Sequence, residues 1–349
     1  MSYITLHYRL KNGASSTLNR LASNVNFVWN YCKSTSDKAY KYDKKTLTGF
    51  DLNNLTSGTS KELNLSSTTI QAICEEYATR KFKLISDFCE GKSNKTKLKW
   101  RSHKTSLGWV PFKGNSISFK DGSFIYCKKN YKFFDSKYKN VDLSKTKFKS
   151  GSFSQDSRGH WFINLVIEVD DVHSCLNPFN AVGVDLGLKE LITTSDGEAF
   201  ENPHFFKATQ EKLAMAQRAN KKKLVKKLHD KIKNQRKDYI NKVTTYLLKT
   251  YDLIVVGNLK LSASKSTLDA AFSRVKSCLK SKAIRLGKTV ILINEAWTTQ
   301  RCSCCNNITG PKGLSGLSVR EWTCSSCGAS HHRDTNAAIN ILRLGHQTL

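Results

Sequence analysis

The chain has 349 residues, in which 57 lysines and arginines face 28 acidic side chains, for a formal net charge of +29 at pH 7. Such a charge opposes compaction unless a polyanion neutralises it, so nucleic acid is the expected partner and a ribosome-associated or membrane-surface protein is the alternative. No run of roughly 18 apolar residues occurs, which excludes a membrane-spanning helix.

The N-terminal half contains both strand-like and helix-like patterns. Residues 2–10 alternate between polar and apolar, which predicts a strand. Apolar residues then recur near helical spacing from Leu18 through Phe27 to Trp29, and Ser66–Cys89 predicts a second helix. Short strands follow, predicted over Ser116–Phe119, Ser123–Cys127, Thr146–Phe153 and Trp161–Val169. This order predicts a small β-barrel with a helical insertion after its first strand, followed by a linker over Val172–Asn180.

The C-terminal half alternates strands and helices. Strands Val182–Asp185 and Glu190–Thr194 with the turn Ser195–Gly197 predict a β-hairpin. One long helix is predicted to include residues 207–242, where 13 basic side chains face 3 acidic ones. Its apolar stripe is expected at Leu224, Leu228, Ile232, Tyr239, Val243 and Tyr246. A strand (Leu253–Val256), a helix (Lys265–Leu286) and a strand (Thr289–Ile293) follow, and this is the element order of an RNase H-like domain.

Two Cys-x2-Cys pairs predict a metal site near the C-terminus. Cys302 and Cys305 are separated by 18 residues from Cys324 and Cys327, which is a spacing typical of tetrahedral zinc. Four thiolates leave no open position on the ion, so we expect one structural Zn²⁺. Cys304 lies between two of the ligands and is a competitor of Cys305.

Two aspartates are candidates for a second metal site. Asp185 ends a short apolar strand, and Asp334 begins an Ala-rich helix seven residues after the last cysteine. Two-metal phosphodiester cleavage needs converging carboxylates, and Mg²⁺ prefers oxygen ligands. Taken singly, each residue has a simpler interpretation, since a strand-end aspartate often forms a turn and a helix-start aspartate is often an N-cap.

Several motifs together resemble the TnpB family, transposon-encoded RNA-guided DNA nucleases related to the type V CRISPR effectors. The resemblance covers residues 180–345 closely and the front half loosely, at Gly159–Leu165. The motifs are Val182–Gly187, Lys227–Tyr239, Thr298–Cys305, Trp322–Gly328 and Arg333–Ile341. Each motif alone is weak, and their combination is specific.

The resemblance implies an α/β multidomain fold. A RuvC-like nuclease domain of RNase H-like fold is expected over 176–296 and 331–349, interrupted by a zinc-binding target-nucleic-acid module (a zinc-ribbon insertion) over 297–330. A wedge-like β-barrel is expected over 1–12 and 95–175, and it carries a helical recognition lobe over 13–94. No signal peptide is expected, because Met1–His7 lacks a charged region followed by an apolar core. We therefore expect a cytoplasmic, nucleoid-associated protein.

The resemblance also implies the partners and cofactors. A guide RNA from the transposon end pairs with double-stranded target DNA, and the protein reads only a short flanking motif. Two catalytic Mg²⁺ ions are expected besides the Zn²⁺. The basic helix is expected to follow the phosphates of the guide–target duplex, unless it is only a solvated charged face. Its candidate nucleic-acid-binding residues are Lys222, Lys223, Lys226, Lys227, Lys231 and Arg236.

The sequence departs from the family at the middle catalytic carboxylate. The family's glutamate ends the strand at which this chain has Gly257, and glycine cannot bind a metal. One interpretation is a nuclease-dead, RNA-guided DNA-binding repressor. The other moves the carboxylate to Glu295 at the end of the next strand, which is sterically reasonable because neighbouring strands lie about 5 Å apart. Retention of Asp185 and Asp334 favours the second.

The sequence therefore predicts an RNA-guided, Mg²⁺-dependent DNA endonuclease of RuvC type, with Asp185, Glu295 and Asp334 as magnesium ligands. A conventional DNA transposase or a basic RNA-binding protein is the other alternative. The first of these is disfavoured because no tyrosine or serine strand-transfer motif is evident.

Overall fold

The computed structural model describes residues 2–134, 141–169, 180–258, 271–313, 316 and 318–349. Its contacts divide the chain into two units, Met1–Val169 and Asp170–Leu349. The predicted linker over 172–180 lies outside the described residues except at its last position. None of the described helices is long and apolar enough to cross a membrane.

The first unit contains two antiparallel sheets. A five-stranded sheet has the order β2-β7-β8-β1-β6, and a three-stranded sheet has the order β3-β4-β5. The predicted strands 2–10 and Trp161–Val169 are confirmed, the other three predicted strands shift by up to two residues, and β2, β5 and β6 were not predicted. The strands are β1 (Ser2–Leu10), β2 (Trp109–Lys113), β3 (Ile117–Lys120), β4 (Ser123–Tyr126), β5 (Lys129–Tyr131), β6 (Phe133–Phe134), β7 (Phe148–Gln155) and β8 (Trp161–Val169). Closure into a barrel stays a prediction.

Four α-helices lie between β1 and β2, where the sequence predicted a helical insertion with two helices. The second long one begins after Ser66, whose hydroxyl accepts a hydrogen bond from the Thr69 amide and so caps the helix. Trp29 packs edge-on against Tyr77 at 5.2 Å between ring centroids. Phe27, expected in the apolar stripe, is wrongly assigned, because it is 62% exposed on the opposite face. The helices are α1 (Ser15–Asp43), α2 (Gly49–Leu55), α3 (Ser60–Leu63) and α4 (Ser67–Cys89).

The second unit is built on a five-stranded mixed sheet of order β11-β10-β9-β12-β13. Strands β9, β10 and β11 pair antiparallel, whereas β12 runs parallel to both β9 and β13. The strands are β9 (Ala181–Asp185), β10 (Glu190–Thr194), β11 (Ala199–Glu201), β12 (Leu253–Gly257) and β13 (Thr289–Ile293), with a separate hairpin β14 (Glu321–Thr323) and β15 (Ser330–His332). The predicted order of hairpin, helix, strand, helix and strand is confirmed only in part, because the unpredicted strand β11 extends the hairpin and two helices follow where one was predicted.

The predicted single long helix is wrong, because the chain breaks it into two. The helices are α5 (Phe205–Arg218), α6 (Lys222–Thr250), α7 (Phe272–Leu286) and α8 (Arg333–His346). At the break Asn220 adopts a left-handed conformation (φ 50°), which asparagine tolerates well, and the Lys221 amide donates to the Ala216 carbonyl. The expected stripe on α6 is also only partly buried, since Leu224 and Tyr246 are exposed. The predicted start of α7 at Lys265 lies outside the described residues.

Helices cover both faces of the mixed sheet. One face packs Val182, Val184 and Ile254 against α6 and α7, and the other packs Val255 and Ile293 against α8. All five residues of β12 are buried, as expected for a central parallel strand. Helix α8 approaches β9 closely at Gly183, where a Cβ would lie 2.8 Å from the Leu342 amide nitrogen. Arg333, the first residue of α8, is thereby held near Asp185 at the end of β9.

Candidate metal centres

Three carboxylates lie near enough to interact electrostatically where β9, β13 and α8 come together. Asp185 is the last residue of β9, Glu295 follows β13 by two residues, and Asp334 lies in the first turn of α8. Burial, together with the negative charges of Glu295 and Asp334, raises the pKa of Asp185 to about 7. The Arg333 guanidinium opposes that shift. The three acids predicted from the sequence are therefore brought into one electrostatic cluster.

Glu295 fills the space that a side chain at position 257 would need. Strands β12 and β13 are parallel, with Gly257 opposite Ile293. A Cβ built on Gly257 would lie 2.9 Å from Cδ of Glu295 and would overlap its Oε2 atom. A side chain at position 257 and the Glu295 carboxylate in its present position therefore exclude each other.

The Glu295 carboxylate has an unsatisfied oxygen. Its Oε2 atom is buried and accepts no hydrogen bond from the residues that the structure describes. Burial raises the pKa of Glu295, and the positive charge of Lys276 on α7 opposes this. A buried carboxylate oxygen without a donor costs free energy unless a cation or proton meets it. Carboxylate oxygens are the ligands Mg²⁺ prefers, so these residues fit a magnesium site.

Asp334 is held by an arginine that the sequence did not single out. Nη1 of Arg320 lies 2.6 Å from Oδ2 of Asp334, and the Arg333 amide donates to the Arg320 carbonyl at 2.7 Å. The segment before β14 is thereby tied to the first turn of α8. No periodicity marks Arg320 or Lys276 in the sequence, because both reach the carboxylates through tertiary packing.

Two buried asparagines of α8 hold the segment that follows Glu295. The side-chain amides of Asn336 and Asn340 both donate to the carbonyl of Arg301, at 2.8 and 2.6 Å, and both also reach the carbonyl of Thr298. Oδ1 of Asn336 accepts from the Ser303 amide at 2.8 Å. Both asparagines lie in the Arg333–Ile341 motif, and they fasten the chain between the carboxylate cluster and the thiol cluster.

The four predicted cysteines form a second cluster. The sulfur atoms of Cys302, Cys305, Cys324 and Cys327 all lie within 4.8 Å of one another. The Cys302–Cys327 and Cys305–Cys324 sulfur distances are 3.7 and 3.6 Å. A tetrahedron with metal–sulfur bonds of about 2.3 Å has edges of about 3.8 Å, so the thiols match a four-sulfur metal site. The Thr309 hydroxyl donates to the Cys324 sulfur and lowers the pKa of that thiol to about 5.

Both Cys-x2-Cys turns have the same backbone geometry. In each turn the residue four positions after the first cysteine is left-handed, at Asn306 (φ 68°) and Gly328 (φ 74°). Its amide donates to the carbonyl of the first cysteine, at 3.0 Å for Cys302 and 2.9 Å for Cys324. Asparagine and glycine tolerate this conformation better than other residues. The sequence thus builds two matching thiol-presenting loops.

A histidine absent from the predictions also reaches the thiols. Nε2 of His331 lies 3.0 Å from the Cys302 sulfur, and Cys302, Cys304 and His331 form a second group with metal-ligand spacing. Cys304 is exposed, and a site that used it in place of Cys305 would draw on Cys302 and His331. The His331 ring packs on Trp322 at 4.7 Å between centroids.

The candidate nucleic-acid-binding residues all lie on α6. The five lysines, Lys222, Lys223, Lys226, Lys227 and Lys231, are exposed, and Arg236 is half-buried. Helix α6 packs against the sheet through its C-terminal half, where Ile240, Val243 and Leu247 are buried. The basic side chains are therefore concentrated on the half of the helix that packs least.

Two family models match consecutive parts of the chain. The model described as "Probable transposase" covers residues 164–267, and "Cas12f1-like, TNB domain" covers residues 272–341. A Streptomyces pristinaespiralis protein named "Putative RNA-guided DNA endonuclease" is 33% identical over 212 residues, 55% of this chain and 52% of that protein. "TnpB-like protein L79" of Acanthamoeba polyphaga mimivirus is 29% identical over 233 residues, 56% of this chain and 43% of that protein.

These matches confirm the resemblance to the TnpB family. The chain spans about half the length of the curated relatives it matches. Among solved structures, a chain of a Cas12f1–sgRNA–target DNA complex aligns with 15% identity and a TM-score of 0.40, covering 98% of this chain and 99% of that one. The sequence matches, rather than this low structural overlap, carry the relationship.

Proposed function

Taking the TnpB relationship as the premise, we propose that the chain is an RNA-guided DNA endonuclease with a RuvC-type site at Asp185, Glu295 and Asp334. The observation that carries the proposal is the Glu295 carboxylate, which fills the side-chain space of Gly257 and has a buried oxygen without a donor among the described residues. An acid placed there for structural reasons would be paired, since burying an unpaired carboxylate is costly.

The chain's own residues define what the site would do. Two Mg²⁺ ions would be held by Asp185, Glu295 and Asp334. When bound, these ions would supply Lewis-acid stabilisation and an activated water for phosphodiester hydrolysis. Arg320 orients Asp334 through one carboxylate oxygen and leaves the other oxygen for a metal ion. Burial, together with the charges of Glu295 and Asp334, raises the pKa of Asp185, and divalent cations would offset the cost of ionising it.

The remaining assignments belong to the same proposal. The sheet order, with three antiparallel strands followed by two parallel ones, supports an RNase H-like nuclease domain over 176–296 and 331–349. We assign 297–330 to the zinc-binding module, 1–12 and 95–175 to the wedge barrel, and 13–94 to the recognition lobe. One structural Zn²⁺ would be held by Cys302, Cys305, Cys324 and Cys327, closing the module without an open position. Guide RNA and double-stranded DNA with a flanking motif are the proposed partners.

Cleavage of a guide-matched plasmid in Mg²⁺ tests the site. Glu295→Gln removes one negative charge at nearly constant shape, so cleavage should fall by orders of magnitude while guided DNA binding is retained. Asp185→Asn and Asp334→Asn should behave alike. Glu211→Gln, an exposed acid on α5, is the matched control and should cleave normally.

Two outcomes would redirect the proposal. A wild-type chain that binds guided DNA and never cuts across a panel of flanking motifs would be the nuclease-dead repressor. If the wild type cuts and Glu295→Gln cuts equally well, the ligand assignment is wrong and the nuclease function remains.

Salt dependence tests the role of α6. Charge reversal at Lys231 and at Arg236 should weaken guided DNA binding for all target sequences, because phosphate contacts release counterions. The slope of log affinity against log salt should fall by about 1 for each lost contact. Lys145→Glu makes the same change in net charge at an 86% exposed lysine elsewhere in the chain and serves as control. Equal slopes for Lys231→Glu and the wild type would remove α6 from the interface.

A further inference from the structure

The helical lobe contains a large groove that the nuclease site does not use. It lies between the C-terminal halves of α1 and α4 and the chain at 96–100, and its volume is about 970 Å³. Sites for small molecules measure about 300–1,000 Å³, so this groove has room for more than one flat ring. Its lining combines exposed aromatic rings with lysines, which is an uncommon surface for a solvated helix pair.

Four aromatic side chains around the groove are open to solvent. They are Tyr40, Tyr42, Phe88 and Trp100, which are exposed by 58%, 71%, 49% and 57%. Rings of this size are usually buried, because burying each one removes a large apolar area from water. A cluster of exposed rings at one groove therefore indicates a surface that a partner covers.

The charge of the groove selects the partner. Asp37 is the one acid among the lining residues, and it already accepts hydrogen bonds from Lys33 and Lys81, at 2.6 and 3.2 Å. These bonds to lysine help to hold the pKa of Asp37 below its usual value, although burial opposes them. Four further lysines line the groove without a carboxylate partner among the described residues: Lys38, Lys41, Lys44 and Lys97. The groove is therefore complementary to an anion.

The cations and the rings are placed next to each other. Nζ of Lys41 lies 5.1 Å from the ring centroid of Tyr42, and Nζ of Lys44 lies 6.0 Å from that of Tyr40. A ring beside a cation can stack on a base while the cation meets the neighbouring phosphate. A duplex hides the faces of its bases inside the stack, whereas a single strand presents them.

We infer that this groove binds unpaired nucleotides of an RNA strand, with bases stacked on Tyr42 and Trp100 and phosphates on the surrounding lysines. The choice of RNA rests on the proposed function, in which the guide is the strand that the protein carries. The groove is assembled wholly from residues 34–100, so its occupancy does not depend on the carboxylates.

Fluorescence anisotropy of the full chain with a labelled oligouridylate tests this inference, after co-purified RNA has been removed. Tyr42→Ala and Trp100→Ala should each weaken binding about fivefold or more, as expected when one stacked base is lost. Tyr42→Phe keeps the ring and should bind like the wild type. Phe50→Ala removes a 74% exposed ring of α2 that does not line the groove, and is the matched control. Thermal melting of each variant identifies any loss of folding.

Several results would overturn the inference. These are unchanged oligouridylate binding by both groove variants, equal weakening for a fully paired RNA duplex, or displacement of oligouridylate by polyglutamate at the same charge concentration. If the groove variants weaken the binding of oligothymidylate and of oligouridylate equally, unpaired DNA would replace RNA as the proposed occupant. The assay uses neither guide nor target, so it is independent of cleavage. If the wild type does not cleave DNA but the groove variants still lose oligouridylate binding, the nuclease proposal is refuted and the groove proposal stands.

Discussion

Four thiols and three carboxylates form clusters within the C-terminal unit, and the two clusters are assembled from very different lengths of chain. All four thiols come from two matching turns within residues 302–327. The carboxylates come from the end of β9, the segment after β13 and the first turn of α8. The thiol cluster depends mainly on local backbone geometry, whereas the carboxylate cluster exists only when the sheet and α8 are packed.

The two clusters also differ in how their polar atoms are satisfied. The thiols have a hydroxyl donor in Thr309 and contact each other at tetrahedral spacing. The Glu295 carboxylate keeps a buried oxygen without a donor among the described residues, and Asp185 has its pKa raised to about 7 by burial and by its acidic neighbours. Ionising the carboxylate cluster is therefore costly unless a cation binds it. The thiol cluster, by contrast, is a closed site.

The largest expected effect comes from moving the carboxylate between strands. Gly257→Glu alone places a second side chain where Glu295 lies, so we expect cleavage to fall by roughly a hundredfold or more through misplaced ligands. Gly257→Glu combined with Glu295→Ala removes the overlap and returns an acid to the end of β12. The double variant should recover much of the activity. A double-mutant cycle of plasmid cleavage measures this coupling between positions 257 and 295. Full activity of Gly257→Glu alone would show that the two positions do not share one space.

A smaller, more local effect is expected at the thiols. Cys302→Ser and Cys324→Ser should each lose about one zinc ion per chain, because a closed four-sulfur site does not tolerate a missing thiolate. Limited proteolysis should then cut within residues 297–333. Cys304→Ser is the matched control and should keep the ion. Metal analysis that finds no zinc in the wild type, or equal loss from Cys304→Ser, would contradict the four-cysteine assignment.

The smallest expected effect is a pH dependence of stability. Asp185 ionises near pH 7 in the folded chain and near its ordinary value of about 3.9 when unfolded, so between these values the folded state holds the extra proton. Its contribution to the free energy of unfolding is therefore present at low pH and is lost as the pH rises towards 7. In magnesium-free buffer, Asp185→Asn should melt a few degrees above the wild type at pH 8 and close to it near pH 4.

Adding Mg²⁺ at pH 8 sharpens this test. The ion should raise the melting temperature of the wild type more than that of Asp185→Asn, because only the wild type carries the buried charge that the cation neutralises. A difference between the two proteins that is independent of pH would mean that the pKa of Asp185 is not raised in the folded state.

The sequence by itself determined the features that depend on short-range patterns. The cysteine spacing specified the four-thiol cluster, because two identical turns fix where their sulfurs point. Period-two alternation and apolar runs located β8, β10 and β13 at their observed bounds. Asp185 and Asp334 were recognisable from the element ends on which they lie.

Tertiary packing decided what those patterns do not encode. The left-handed Asn220 divides α5 from α6. The sequence did not predict this break, because an asparagine in a long basic stretch carries no distinct breaking signal. Arg320 meets Asp334 because the pairing of β14 with β15 brings Arg320 opposite the start of α8. Above all, Glu295 reaches the space left by Gly257 because β12 and β13 pair in parallel and in register. The sequence named Glu295 as a candidate, and the sheet is what brings its carboxylate beside Asp185.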